Sequence, residues 1–169
     1  MDLSQYVHTF GHDLQARHGQ RVHKVALNVG FTCPNRDGSK GRGGCTFCNN
    51  DSFAPERQPD RSVSEQIQSG ARVVRKLNRA RKLMAYFQAY TNTYADINRL
   101  RRLYDEALAH PDVIGLSIGT RPDCVPLEVP TRTSPNARKE VLRFNCPFCR
   151  AWPMRLPALP ASPATRSPL

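Results

Sequence analysis

The chain has 169 residues with a formal net charge of +11, which suits one domain and favours polyanionic partners. No stretch approaches about 18 consecutive apolar residues, which excludes a membrane-spanning helix, and residues 1–10 lack the apolar segment of a secretory signal. Six cysteines without an export signal predict a cytoplasmic location, where closely spaced cysteines bind metals or act in catalysis more often than they form disulfides.

Helical and extended patterns alternate over residues 1–126, and a capping box of Ser62 and Glu65 marks the start of the second helix. This alternation predicts an α/β fold with parallel strands and right-handed crossovers. The predicted elements are a helix over Leu3–Arg17, a strand over Val22–Val29, a loop from Gly30 to about Asp60, a helix from the capping box to about Lys82, a strand over Leu83–Tyr90, a helix from Thr93 or Ala95 to Ala109, and a strand over Val113–Gly119.

The composition changes after residue 126. Eight of the 14 prolines follow that point, and basic residues outnumber acidic ones there. From Arg150 onward neither a helical nor a strand period is present, and proline interrupts the hydrogen bonding of both. We therefore predict a disordered, basic, proline-rich tail over residues 127–169.

Three cysteines lie in the loop after the first predicted strand. Cys33, Cys45 and Cys48 are spaced C-x11-C-x2-C, and four glycines between the first two allow the backbone to wrap closely around a bulky group. A structural zinc site is usually closed by four ligands, and His23 is a candidate for the fourth. An iron–sulfur cluster held by three cysteines leaves one iron open. The local pattern predicts a metal centre and leaves zinc and iron–sulfur both open.

Longer segments extend this pattern. Phe47 directly precedes the last cysteine of the loop. The chain also contains, in this order, the segments KVALNVGFTCPNRDGSKGRGGCTFCNNDSFAP, AYFQAYTNTYADINRLRRLYDEAL and IGLSIGTRPDCVP. These segments are similar to the YhcC-like branch of the radical S-adenosylmethionine superfamily, which is related to the radical domain of elongator-type tRNA-modifying enzymes. The resemblance covers about residues 1–126.

The resemblance implies a fold and a set of ligands. The fold would be the front half of a partial (β/α)6 barrel with its site at the carboxyl ends of the strands. Cys33, Cys45 and Cys48 would hold a [4Fe-4S] cluster whose open iron chelates S-adenosylmethionine. With one electron from a donor, cleavage of that molecule would give a 5′-deoxyadenosyl radical that abstracts hydrogen from a substrate.

Two further assignments follow from the same resemblance. Phe47 matches the aromatic residue that packs near the adenine. Ala89 and Tyr90 stand where many members have a Gly-Gly turn that receives the methionyl amino group through backbone atoms. The family pattern stops after Pro126, so we expect a truncated or frameshifted member whose activity is impaired.

The leading hypothesis is therefore a radical S-adenosylmethionine protein with an unknown substrate, for which RNA is a candidate. An alternative is a non-enzymatic, zinc-binding, basic nucleic-acid module that adds Cys146 and Cys149 to the loop cysteines. A third possibility is an unstable product without function. The RNA hypothesis rests on the basic residues of the second helix region, which are Arg72, Arg75, Lys76, Arg79, Arg81 and Lys82.

Overall fold

The computed structural model describes residues 6–7, 9–46, 48, 61–125 and 140–144. Each long helix begins at a side-chain cap: Thr9, Ser62 and Asp96 accept hydrogen bonds from backbone N–H groups of the first turn. The elements are α1 (Phe10–His18), β1 (Val22–Leu27), α2 (Val63–Asn78), β2 (Lys82–Phe87), α3 (Ile97–Ala109), β3 (Val113–Ile118), a short 3-10 turn (Pro122–Cys124) and β4 (Glu140–Phe144).

The four strands form one parallel sheet in the order β1-β2-β3-β4. Parallel neighbours require a crossover connection, and α2 and α3 provide the first two. α2 packs against β1, α3 packs against β3, and the two helices contact each other, so both cover the same face of the sheet. The predicted α/β fold with parallel strands is confirmed.

The core lies between the sheet and these two helices. Side chains alternate between the two faces along a strand, so alternate residues of β2 join the core. Phe87 packs edge-on against Tyr104 of α3 with ring centroids 5.1 Å apart. The strands contribute Val25, Leu27, Leu83, Ala85, Phe87, Val113, Leu116 and Ile118, and the helices contribute Val63, Ile67, Ala71, Val74, Leu100, Tyr104, Ala107 and Leu108.

The opposite face of the sheet is more polar. Lys24 of β1 places its Nζ atom 4.8 Å from the ring centroid of Tyr86 and 5.1 Å from that of Phe10 in α1. Ser117 of β3, which is paired in register with Tyr86, is buried. The face opposite α2 and α3 therefore carries polar side chains within the sheet.

Several predicted boundaries are wrong. α1 begins after Thr9, which caps it, whereas the predicted start at Leu3 lies outside the described residues. α2 ends at Asn78 and does not reach Lys82, because Arg79 takes a left-handed conformation with φ 54°. β2 ends at Phe87 and not at Tyr90, because the chain turns there with positive φ angles.

The tail prediction also needs correction at one place. Residues 140–144 form β4, which pairs with β3 through Leu116 and Val141, inside the segment predicted to be disordered. Three of these five residues are valine, leucine or phenylalanine, so the local sequence suits a β-strand. The remainder of the predicted tail, residues 127–139 and 145–169, lies outside the described residues.

Candidate functional site

Three loops follow the carboxyl ends of β1, β2 and β3 and meet at one edge of the sheet, as expected for parallel strands. We call this region the carboxyl edge. The backbone N–H of Thr91 donates to the carbonyl of Thr32 at 3.1 Å, and that of Asn92 donates to the carbonyl of Gly119 at 3.0 Å. These bonds connect the second loop to the first and to the third, so residues far apart in sequence are held together.

The loop after β1 carries the three predicted cysteine ligands, and we call residues 28–48 the cysteine loop. The carbonyl of Cys33 accepts hydrogen bonds from the N–H groups of Arg36 and Asp37, at 2.8 Å and 3.2 Å. The N–H of Cys48 donates to the carbonyl of Cys45 at 2.9 Å, so a tight turn brings these two residues together. The cysteines therefore lie on two successive turns of one loop.

Glycines make this loop path possible. Gly38, Gly43 and Gly44 have φ angles of 96°, 80° and 91°, which confirms the predicted need for residues without a Cβ. Gly41 does not have a positive φ. It instead lies close to Asn35, where an added Cβ would come within 3.5 Å of the backbone oxygen.

The three cysteines differ in exposure. Cys33 and Cys45 are partly exposed and Cys48 is exposed. The side chain of Asn35 donates from Nδ2 to the Cys45 Sγ atom at 3.0 Å. Among the described residues, no three His, Cys, Asp or Glu side chains form a group that could hold a metal ion.

Ala89 and Tyr90, which were singled out for a cofactor amino group, form a strained turn after β2. Their φ angles are 81° and 62°, in the left-handed region that side chains with a Cβ rarely adopt. The guanidinium of Arg36 lies over the Tyr90 ring, 4.3 Å from its centroid, and so connects this turn to the cysteine loop. Non-glycine residues kept in such a conformation are characteristic of binding sites.

Asn92 is fully buried at the same edge. Its side-chain Nδ2 donates to the carbonyl of Gly119 at 2.8 Å, and its backbone carbonyl accepts a hydrogen bond of 2.6 Å from the Tyr104 hydroxyl. Its Oδ1 atom has no partner among the described residues. A buried acceptor without a donor is costly, so this oxygen is suited to a ligand that brings an N–H group.

Charged side chains connect the cysteine loop to the loop after β3. The Nζ of Lys40 lies 2.5 Å from Asp123 Oδ2, and Arg121 binds the same carboxylate through two nitrogens. The hydrogen bond from Arg121, followed by that from Lys40, holds the pKa of Asp123 far below its ordinary value. Hydrogen bonding to Asp123 in turn raises the pKa of Arg121, with a smaller contribution from the Cys33 thiol.

Two other groups at this edge are perturbed. Hydrogen bonds from the backbone N–H and then the side chain of Ser39 lower the pKa of Asp37. Ser39 also lies 3.1 Å from the Tyr94 hydroxyl, which adds a contact between the cysteine loop and the residues after β2. Burial is the main cause that raises the pKa of the Cys124 thiol.

The fold brings five predicted site residues to the carboxyl edge: Cys33, Cys45, Cys48, Ala89 and Tyr90. Phe47, Cys146 and Cys149 lie outside the described residues.

His23 is exposed near the start of β1. At about 3.3 Å of rise per residue, it lies roughly 13 Å along the strand from Leu27, where the cysteine loop begins. This position argues against His23 as a fourth zinc ligand.

Three features of the site were not predicted from the sequence. In the sequence, Asn35 is marked only by its closeness to Cys33, and Asn92 only by its position after β2. The Lys40–Asp123 contact joins residues 83 positions apart, so only the fold reveals it. Asn35 could have been suspected because an amide beside a cysteine is a ready donor to sulfur.

Comparisons with known proteins give relatives whose names state no activity. The chain is 54% identical over 126 residues to "Protein YhcC" of Escherichia coli K12, covering 75% of this chain and 40% of that protein. It is 43% identical over 125 residues to "Uncharacterized protein YtqA" of Bacillus subtilis, covering 72% of this chain and 38% of that protein.

A more distant relative is "Uncharacterized protein MJ0486" of Methanocaldococcus jannaschii, which is 34% identical over 128 residues, or 70% of this chain and 36% of that protein. No family model matches the chain, and no solved structure matches it. The part of the chain that matches covers 40% or less of the length of each of these three relatives. In the described part of the chain, no helix is long and apolar enough to cross a membrane.

Proposed function

We propose that this chain is the cofactor-binding part of a radical S-adenosylmethionine protein, in which Cys33, Cys45 and Cys48 hold a [4Fe-4S] cluster. The observation that carries the proposal is the position of all three cysteines on one glycine-containing loop at the carboxyl ends of parallel strands. That edge is where α/β barrels place their chemistry. Three cysteine ligands are the number that a cluster with one open iron requires.

The donor chemistry of the loop fits this group. Thiolate sulfur is the usual ligand of iron–sulfur clusters, and hydrogen bonds to the sulfurs adjust the reduction potential of the cluster. Asn35 already donates such a bond to Cys45. When bound, the cluster would supply one electron to S-adenosylmethionine, and the cleaved cofactor would abstract hydrogen from a substrate.

The loop after β2 is proposed to receive the cofactor's amino group. The left-handed turn at Ala89 and Tyr90 places backbone groups beside the cysteine loop, as expected if backbone atoms accept the amino group. Asn92 Oδ1, which has no hydrogen-bond partner among the described residues, is a second acceptor at this edge. Phe47 keeps its proposed place near the adenine as an expectation from the resemblance alone.

We further propose that the fold is part of a partial (β/α)6 barrel. The sequential order of four parallel strands, with α2 and α3 on one face, supports this arrangement because each crossover advances by one strand in the same direction. Complete hydrogen abstraction is proposed for the longer relatives, which carry further sequence that this chain does not match.

RNA is the substrate class that we propose to test first. Several basic side chains on and after α2 are exposed, and the chain has a net charge of +11, so phosphate backbones would be attracted. The exposed members of this group are Arg72, Arg75, Lys76, Arg79 and Arg81. Arg75 is ion-paired with Asp112, so it contributes less than the others.

The proposal is tested by anaerobic reconstitution with iron and sulfide. We expect brown protein with about four irons per chain. Cys45→Ala should lose the visible absorbance, whereas Cys124→Ala should keep it, because Cys124 lies outside the proposed ligand set. Addition of S-adenosylmethionine should change the electron paramagnetic resonance spectrum of the reduced protein. Colourless protein that binds only zinc would overturn the proposal and favour the zinc-binding nucleic-acid module.

A further inference from the structure

Asn35 connects two segments of the cysteine loop, the one that follows Cys33 and the one that leads into Cys45. Its Nδ2 donates to Cys45 Sγ at 3.0 Å, and its backbone carbonyl accepts a hydrogen bond of 2.9 Å from the N–H of Gly44. Gly41 approaches the same backbone closely enough that an added Cβ would contact it. One residue thus joins the segment after Cys33 to the segment that leads into Cys45.

The side-chain bond has a chemical consequence if the sulfur binds iron. A cluster-bound thiolate carries negative charge that it shares with the metal. An N–H donor draws part of that charge away, which stabilises the more negative, reduced state of the cluster. Asn is neutral and keeps its donor at any accessible pH, so the effect would not depend on protonation.

We propose that Asn35 is a positioning residue that fixes the Cys45 sulfur and raises the reduction potential of the group held by Cys33, Cys45 and Cys48. This inference rests on the proposed function. It goes further because it assigns a role in tuning to a residue that is not a ligand. Ser39 offers a contrast in the same loop: its hydroxyl bonds to Asp37, the Pro34 carbonyl and Tyr94, and none of these contacts involves a cysteine.

The experiment compares the reconstituted full chain with its Asn35→Ala, Asn35→Asp and Ser39→Ala variants. The midpoint potential is measured by anaerobic reduction followed with electron paramagnetic resonance. Asn35→Ala should shift the reduction equilibrium about tenfold toward the oxidised cluster, which is about 59 mV for one electron. Asn35→Asp should shift it further, because a carboxylate adds negative charge beside the sulfur. Ser39→Ala should keep the potential of the unsubstituted chain.

The outcomes separate this inference from the proposed function. If the unsubstituted chain binds no iron, the proposed function fails first. If it binds four irons and Asn35→Ala leaves the potential unchanged, the inference is overturned and the proposed function stands.

If Asn35→Ala loses the cluster, Asn35→Gln tests whether the amide donor is the cause, since glutamine retains that donor. Recovery of the cluster in Asn35→Gln, with Ser39→Ala intact, supports the role of Asn35. Equal loss of the cluster in Asn35→Ala and Ser39→Ala overturns it.

Discussion

The helix-covered face of the sheet and the carboxyl edge are stabilised in different ways. On the helix-covered face, apolar side chains interlock, and Phe87, Leu83 and Leu100 are fully buried. At the carboxyl edge, the loops are held by hydrogen bonds, ion pairs and a turn with positive φ at Ala89 and Tyr90. The first arrangement supplies stability, and the second holds polar and strained groups together at the ends of the strands.

The largest expected effect tests the helix-covered face. Phe87→Ala should lower the free energy of unfolding by about 3–5 kcal/mol, because it removes a fully buried ring that packs against Tyr104. Urea unfolding followed by circular dichroism measures the change. Leu77→Ala is the control: its side chain is 72% exposed on α2, so its truncation should cost less than about 0.5 kcal/mol. Equal effects would contradict the assigned core.

The next effect tests the junction of the two regions. Tyr104→Phe removes the hydroxyl that bonds to the buried Asn92 carbonyl and should cost about 1–3 kcal/mol. Burial raises the pKa of this hydroxyl, so it stays a donor throughout the neutral range and the cost should not vary with pH there. Tyr86→Phe is the control, because the contact of Tyr86 with Lys24 is through the ring. A Tyr104→Phe variant as stable as the unsubstituted chain would show that this bond adds nothing.

A smaller effect tests the packing of α2 on β1. A Cβ at Gly70 would lie 2.4 Å from Val25 Cγ1, so Gly70→Ala should overpack the interface by about 1–3 kcal/mol while regaining about 1 kcal/mol of helix propensity. We expect a net loss near 1 kcal/mol in urea unfolding. Gly11→Ala in α1, where nothing lies within 4 Å, should not destabilise the chain. In a chain that already carries Val25→Ala, Gly70→Ala should cost much less unfolding free energy than it does beside Val25. An equal cost in both chains would show that the contact with Val25 is not its source.

The smallest effect tests the ion pairs of the carboxyl edge. Because the pKa of Asp123 is lower in the folded chain than its ordinary 3.8, its contribution is fully present above about pH 4 and is lost as the pH falls toward the folded value. Asp123 is exposed, so Asp123→Asn should cost less than about 1 kcal/mol at pH 7. The difference between the two chains should shrink as the pH falls below 4. A constant difference at all pH values would exclude the carboxylate as its source.

Local patterns predicted much of the scaffold. The capping box of Ser62 and Glu65 is present, and the predicted order of helices and strands from α1 to β3 is found. Boundaries were less accurate where a single backbone angle decides them, as at Arg79 and at Ala89. Propensity does not indicate a left-handed turn made by residues other than glycine, because tertiary contacts hold it.

The sequence by itself determined the alternation of helices and strands, the parallel sheet and the spacing of the three cysteines, because these depend on periodicity and on residues near one another along the chain. Only the tertiary structure decided what surrounds the cysteines. The contacts of Lys40 with Asp123, of Arg36 with Tyr90 and of Tyr104 with Asn92 join separate loops and elements. Such contacts form only when the sheet brings its carboxyl ends together, and no local pattern of charge or hydrophobicity encodes them.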